Sequence, residues 1–319
     1  MHDFNVSVVI PAYNSEHSIE KAVQSVIEQS VPVKEIIIVN DGSSDGTIGV
    51  VRKLEKMSDG IRLIEQANGG PAKARNTGIE NASCEWIAFL DADDSWLPHR
   101  LEMQYEVLKS YPDLKWVSGR YNNCTPTHVS LSKFTYEKKQ KPLQSLNALQ
   151  AMADMTSLWT GTILMKRSAL LEIGVFDTEL HGCEDFDLWL RFAKKYSTIG
   201  FVVTPIANYT VDQAGSLVGI AARQLEPTKL TFYSKVKGYV DSSVSETTKQ
   251  LLQEILSNLI GKYAFNLTRT GNVTESRKLC KWAVENGMPQ IKIRFTWLNW
   301  FPAVLVRAAR SLYGSSKKK

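Results

Sequence analysis

Three acidic segments carry residue types and spacings that could do chemistry: Asn40-Asp41-Gly42-Ser43-Ser44-Asp45-Gly46-Thr47, Asp91-Ala92-Asp93-Asp94 and Glu184-Asp185-Phe186-Asp187. Carboxylates at 91, 93 and 94 repel one another and are destabilising in a buried turn without a cation. Hard oxygen ligands that leave positions open for phosphate oxygens describe a Mg2+ or Mn2+ site, a Lewis acid for a leaving diphosphate. A solvated acidic turn ahead of the helix after Pro98 is the plainer alternative. The Glu184-Asp185 pair precedes an amphipathic stretch reaching Arg191. There a carboxylate either caps a helix or serves as general base to a hydroxyl held beside it.

Asp41 follows the apolar run Glu35 to Val39 and precedes Gly42 and Gly46. A carboxylate at a strand end, next to glycines that admit a ligand to the backbone, suits a nucleoside. The segment lacks GxGxxG, which a dinucleotide fingerprint requires. An EF-hand starting at Asp41 would place Ser43, Asp45 and Gly46 acceptably, but Arg52 falls where the bidentate Glu must be, so calcium is excluded. Asp45 and Thr47 read as helix caps, which leaves Asp41 unexplained by a simple turn. Between the acidic segments lies Gly69-Gly70-Pro71-Ala72-Lys73-Ala74-Arg75. Its small residues permit close approach, and Lys73 and Arg75 offer donors to a base or phosphate.

Placing these side chains together requires strands that end beside them. Apolar runs at Val6 to Ile10, Glu35 to Val39, Ile61 to Ile64 and Trp86 to Leu90 predict strands. Helical spacing at Ile19, Ala22, Val23, Val26 and Ile27, at Ile48 to Leu54 and at Ala72 to Asn81 separates them. This alternation predicts an α/β fold with a mostly parallel sheet, helices on both faces and ligands beyond the carboxyl ends of the strands. Residues 121–155 are polar and irregular and read as an acceptor-side insertion or loop. Regular pattern resumes at Thr160 to Lys166, and a helix is expected over Asp185 to Lys195. From about residue 219 the chain reads as helical, with Leu252, Ile255, Leu256, Leu259, Tyr263 and Leu267 in register. The expected division is a catalytic domain over 1–218 and a helical region over 219–319.

With 319 residues, 43% hydrophobic and 22% charged, disorder throughout is excluded. Cys84, Cys124, Cys183 and Cys280 form no CxxC or Cys/His cluster, hence no obvious zinc site or disulfide framework. No apolar run approaches a membrane span, and the start Met1-His2-Asp3-Phe4-Asn5 lacks the basic region of a signal peptide. The net charge of +5 is uneven: residues 1–219 hold 21 Lys+Arg against 27 Asp+Glu, and residues 220–319 hold 17 against 6. A basic tail meeting an anionic partner, or merely a solvated basic face, accounts for the split.

Four stretches in order, SVVIPAYNSEHSIEKAVQSV, EIIIVNDGSSDGT, GGPAKARNTGIENASCEWIAFLDADD and GCEDFDLWLRF, resemble the family 2 inverting glycosyltransferases of the GT-A fold over roughly residues 5–215. The resemblance implies a nucleotide-sugar donor, usually a UDP-sugar, at the strand ends. Pro11, Ala12, Tyr13 and Asp41 would line the base and ribose pocket, with Lys73, Arg75 and Ala92 nearby. Asp91 would face the ribose and Asp93 would hold Mn2+ or Mg2+ on the diphosphate. Asp185 matches the base, beside Glu184, and Trp159 sits on the acceptor and sugar side. Many members carry a further His ligand 20–30 residues after the base; here that stretch is Asn208 to Ser216, without His, and Asp212 is the expected substitute.

Residues 291–313 place Trp297, Trp300 and Phe301 among Lys292, Arg294, Arg307 and Arg310, ahead of Lys317-Lys318-Lys319. Aromatics and cations on one segment suit an anionic membrane surface; the alternative packs the tryptophans under the catalytic domain. The first reading fits a cytoplasmic enzyme, peripheral on the inner face of the cell membrane, with a polyprenyl-diphosphate-linked saccharide acceptor. Nucleic acid is not an expected partner. A sugar-nucleotide nucleotidyltransferase and a non-catalytic carbohydrate-binding protein of the same fold are the rival functions.

Overall fold

The computed structural model describes residues 4–135, 143–211 and 227–288. The chain divides into two compact units, Met1–Val211 and Asp212–Lys319.

In the first unit the apolar runs form β1 (Val6–Ala12), β2 (Glu35–Asp41), β3 (Ile61–Gln66) and β4 (Trp86–Phe89), pairing in parallel in the order β3-β2-β1-β4. Helices α1 (Ile19–Ile27), α2 (Thr47–Glu55) and α3 (Gly70–Asn81) connect them. Strand side chains alternate between faces. Val8 and Ile10 pack with Ile19, Ala22, Val23 and Val26 of α1, whereas Val9 meets α3. That helix sits so close that a Cβ on Gly78 would overlap the Val9 methyls. Helices therefore cover both faces, as the continuous apolar strands require. Ile27, which the helical spacing includes, is exposed.

The other half of the sheet is mixed. It comprises β5 (Ser95–Trp96), β6 (Trp116–Cys124), β7 (Val129–Leu131), β8 (Leu143–Asn147), β9 (Leu164–Lys166) and β10 (Thr198–Thr210). The order continues β4-β9-β6-β10-β5, with β7 on β6 and β8 on β10. Only β6 and β10 run parallel here; β9 opposes both β4 and β6. The mostly parallel sheet expected from sequence is thus an α/β sheet with a fully parallel first half and a mixed second half that keeps one parallel pair. β9 is reached from β8 through residues 148–163 and pairs with β4 and β6, while β5 pairs with β10, so each meets partners far from it in the chain and no repeated strand–helix crossover sets its direction. Residues 121–155, read from sequence as irregular, contain β7, β8 and α5 (Ala148–Ala153). Helices α4 (Arg100–Ser110), α6 (Arg167–Ile173) and α7 (Glu184–Lys195) complete the unit.

The second unit contains α8 (Pro227–Asp241), α9 (Glu246–Arg269) and α10 (Val273–Glu285). Ser245 caps α9, its side chain accepting from the Thr248 amide. Leu252, Ile255, Leu256, Tyr263 and Leu267 are buried at the expected helical spacing, and Ile260 joins them. Among the described residues no helix is long and apolar enough to cross a membrane.

The seating of α3 on β1 gives a direct test. Gly78→Ala forces apart a contact that leaves no room for a methyl group, and should destabilise the protein by about 1–3 kcal/mol. Gly49→Ala, in α2 with nothing near its new Cβ, should stabilise by about 0.5–1 kcal/mol through helix propensity. Thermal and urea denaturation of the two variants will read the opposite signs.

Candidate active site

The carboxyl edge of the parallel strands gathers the first group of polar residues. Ala12 pairs with Asn40 in register, so β1 and β2 end level. The buried Asp41 carboxylate is fully engaged: Oδ1 accepts from Gln66 Nε2 (2.7 Å) and the Gly69 amide (2.9 Å), and Oδ2 from the Gly70 amide (2.8 Å). It thereby satisfies free amides at the start of α3, where the helix dipole favours negative charge. Gly70 adopts φ +85° there, a conformation that favours glycine. Pro11 is half-buried, Ala12 buried, and Tyr13 stands clear of the edge. The next residue, Asn14, ties this edge to the β2–α2 loop through the Ser44 amide (2.9 Å). Asp45 is not the cap of α2, a position held by Gly46; one residue further out, its Oδ1 accepts from the Thr47 amide (3.0 Å).

Arg75, one turn into α3, joins the acidic segments. Its Nη2 donates to Asp91 Oδ1 (2.7 Å) and its Nη1 to Glu184 Oε1 (3.3 Å). Asp91 lies just beyond β4 and Glu184 opens α7, so one side chain bridges positions 93 residues apart. The guanidinium is buried, with the Phe176 ring centroid at 5.5 Å. Burial works against its charge, and the carboxylates of Asp91 and Glu184 overcome that effect, holding the group above its ordinary pKa. Lys73, in contrast, is exposed, with its stem folded over Gly69.

After β4 the chain turns through Asp91-Ala92-Asp93-Asp94, closed by the Asp94 amide donating to the Asp91 carbonyl (3.1 Å). Ala92 is buried and Asp93 exposed. Asp94 is buried; its Oδ1 accepts from the Thr210 amide (2.6 Å) and its Oδ2 has no partner. Burial first, then the charges of Asp91 and Asp93, push its carboxyl up to about 9. Among the described residues no group of three or more His, Cys, Asp or Glu side chains is placed to hold a metal ion by itself. What the turn offers is an exposed carboxylate at Asp93 beside mutually repelling acids. That donor set fits a hard divalent cation taking its other ligands from phosphate oxygens. Asp212 lies outside the described residues.

Asp185 is not the cap of α7; that position belongs to Cys183. Its Oδ1 accepts from the Phe186 amide (2.6 Å). Burial, then the neighbouring Glu184 charge, raises the carboxyl to about 6, against the pull of Arg75. Glu184 Oε2 is buried without a partner. Asp187 is structural: it binds Arg191 Nε (2.8 Å), whose other nitrogens hold the carbonyls of Ile173, Gly174 and Val175.

Beside the acids stand three aromatic rings from three elements. Trp159, half-buried, lies 4.9 Å from Tyr121 of β6 and 5.2 Å from Tyr209 of β10, centroid to centroid. Burial, then Asp94, Asp93 and Asp91, push the Tyr209 hydroxyl up to about 12, and the charges of Asp185 and Asp94 also reach Tyr121. Sequence reasoning missed both tyrosines. Tyr209 lies in the stretch where the expected His is missing, and Tyr121 opens a polar segment without periodicity.

The model of glycosyl transferase family 2 matches residues 7–174. TuaG of Bacillus subtilis, a glycosyltransferase assigned to teichuronic acid biosynthesis, is 43% identical over 205 residues, covering 64% of this chain and 78% of its own. The Escherichia coli UDP-Glc:alpha-D-GlcNAc-diphosphoundecaprenol beta-1,3-glucosyltransferase WfgD is 36% identical over 201 residues, 61% of this chain and 72% of its own. Residues 1–349 of Staphylococcus aureus TarS, solved with UDP-GlcNAc, share the fold at TM-score 0.66 and 18% identity, covering 92% of each chain. With the match of the family model over more than half its length and the acidic segments at one edge of a GT-A sheet, this chain belongs to glycosyl transferase family 2 and is a glycosyltransferase.

Proposed function

We propose that the chain is an inverting transferase that moves a sugar from a UDP-sugar to a hydroxyl of a lipid-linked saccharide, forming a β-linkage in cell-surface polysaccharide or O-antigen assembly. The observation that carries this reading is the Asp91–Arg75–Glu184 bridge, which sets the acidic turn beside Asp185. Asp185 has the carboxyl, raised to about 6, that a general base needs. The UDP-GlcNAc complex of TarS supports a nucleotide-sugar donor, and the diphosphoundecaprenol acceptor in the name of WfgD supports a lipid-linked one.

In this reading Pro11, Ala12, Tyr13 and Asp41 border the base and ribose, with Lys73, Arg75, Asp91 and Ala92 nearby. Asp93 would hold Mn2+ or Mg2+, with Asp212 as a second ligand; when bound, the cation neutralises charge on the leaving diphosphate. Asp185 takes the proton of the acceptor hydroxyl as that oxygen bonds to the anomeric carbon. The bond to UDP breaks on the opposite face, so an α-linked donor yields a β-linked product. Glu184 and Trp159 lie on the acceptor side. The tail, residues 291–319, lies outside the described residues; its cations and tryptophans support a peripheral position on the inner membrane face.

Metal-dependent UDP release from a panel of UDP-sugars tests the donor class: release from one donor is expected, and none from any would overturn the reading. Asp185→Asn should keep UDP-sugar binding, read by calorimetry, and lose transfer by roughly 10²–10⁴. Because the base acts deprotonated and its folded pKa lies above the ordinary 3.8, kcat/KM should be flat above about pH 6 and fall tenfold per unit below it. Loss of binding with transfer intact would make Asp185 a structural residue.

Asp93→Ala should reduce turnover by roughly 10² or more, and wild-type turnover should stop in EDTA. Turnover undiminished by either treatment would remove the metal assignment. Truncation after residue 290 should release the protein from anionic vesicles and cut transfer to a lipid-linked acceptor far more than to a short soluble analogue. High salt should mimic the electrostatic part, since charges are screened within about 8 Å at physiological ionic strength. Unfolding of the truncated protein would place the tryptophans in the core.

A further inference from the structure

Arg100, the first residue of α4, is completely buried, yet among the described residues no carboxylate pairs with it. Its Nη1 donates to the Gly161 carbonyl, its Nη2 to the Ile163 carbonyl (3.1 Å) and its Nε to Gln104 Oε1 (3.2 Å). The Trp96 ring lies 3.8 Å from the guanidinium carbon. One turn along α4, Gln104 Nε2 donates to the Thr162 carbonyl (2.8 Å). Three consecutive carbonyls, those of Gly161, Thr162 and Ile163, are thus held by two side chains of one helix. The Thr162 hydroxyl and amide in turn both bond the Trp159 carbonyl, at 2.8 and 2.9 Å. The indole of Trp159 lies directly on Gly161, where a Cβ would overlap its six-membered ring.

A buried charge without a counter-charge is a poor means of gaining stability, because apolar packing of similar volume does as well or better. What a guanidinium adds is a rigid planar fork whose donors fix several acceptors relative to one another. Here the acceptors belong to the backbone turn that carries Trp159 to the Tyr121–Trp159–Tyr209 cluster.

We propose that Arg100 is a positioning residue for the acceptor: its buried fork, with Gln104, fixes the Gly161–Ile163 carbonyls and so sets the Trp159 ring as part of the wall against which the acceptor saccharide packs. This rests on the transferase reading above, and the test separates the two. Lysine keeps the charge and loses the fork, so Arg100→Lys is the informative variant.

Hydrogen exchange, which needs no substrate, comes first. In Arg100→Lys the amides of Thr162 and Ile163 should exchange about tenfold faster or more, while those of Val9 and Ile37 in the parallel strands keep their protection. Unchanged exchange at 162 and 163, or an equal loss across the sheet, would overturn the positioning role whatever the protein's substrate. Kinetics come second, with UDP-glucose or UDP-GlcNAc as donor and α-GlcNAc-diphosphate on a short alkyl chain as acceptor. Arg100→Lys should raise the acceptor KM about tenfold and change kcat less, since small misplacements of a binding group are costly. In a Trp159→Ala background the same substitution should add nothing further to the acceptor KM. Equal effects in both backgrounds would show that Arg100 does not act through Trp159. If the wild-type protein turns over neither donor, these two are not its substrates, and the exchange experiment still decides whether Arg100 holds the turn.

Discussion

The acidic part of the carboxyl edge depends on a single buried cation. Arg75 is buried and compensated by two carboxylates distant in the chain, Asp91 and Glu184. A buried ion pair is seldom a source of stability, but removing one partner leaves a charge stranded, at a cost of about 3–5 kcal/mol. Such a bridge fixes geometry more than it adds stability. It holds the acidic turn and the start of α7 at one separation, and it tempers the mutual repulsion of the acids around it. Asp185 feels both sides of this balance, raised by burial and Glu184 and lowered by Arg75. Asp94, on the far side of the turn and without such a cation among its contacts, rises much further.

The fold supplies the precision this bridge needs. Arg75 and Gly78 lie one turn apart on α3, and Gly78 lets that helix rest on β1 at backbone distance. A larger residue at 78 would lift the helix and the guanidinium with it. At the other end of the bridge, Asp187 and Arg191 clamp the loop between α6 and α7, so the helix bearing Glu184 and Asp185 is secured independently of the charges it presents.

The sequence reveals the parallel half of this architecture well. Runs such as VSVVI and EIIIV announce strands buried on both faces, and the acidic and glycine-rich segments mark their carboxyl ends. The mixed half was hidden. Strands β7, β8 and β10 contain Asn, Ser, Thr and Pro and gain their regularity from partners distant in the chain, which local periodicity cannot register. The same limit explains which site residues were missed. Asp41, Asp91 and Asp185 are conspicuous because charged residues at strand and helix ends need a reason. Tyr121 and Tyr209 become a pair only once β6 and β10 lie side by side. For Arg75, two cations on a helix gave no hint that Lys73 would face solvent and Arg75 the interior.

Asp41 has a consequence of its own. With both oxygens already bonded to Gln66, Gly69 and Gly70, the glycine loop is held in shape by the protein before any ligand arrives. The conformational entropy of Gly69 and Gly70, large because glycine is the most permissive residue type, is surrendered on folding rather than on binding. In the proposed reading, a nucleotide approaching this edge would meet a surface that is already set, and the free energy of its contacts would go into affinity instead of ordering the loop.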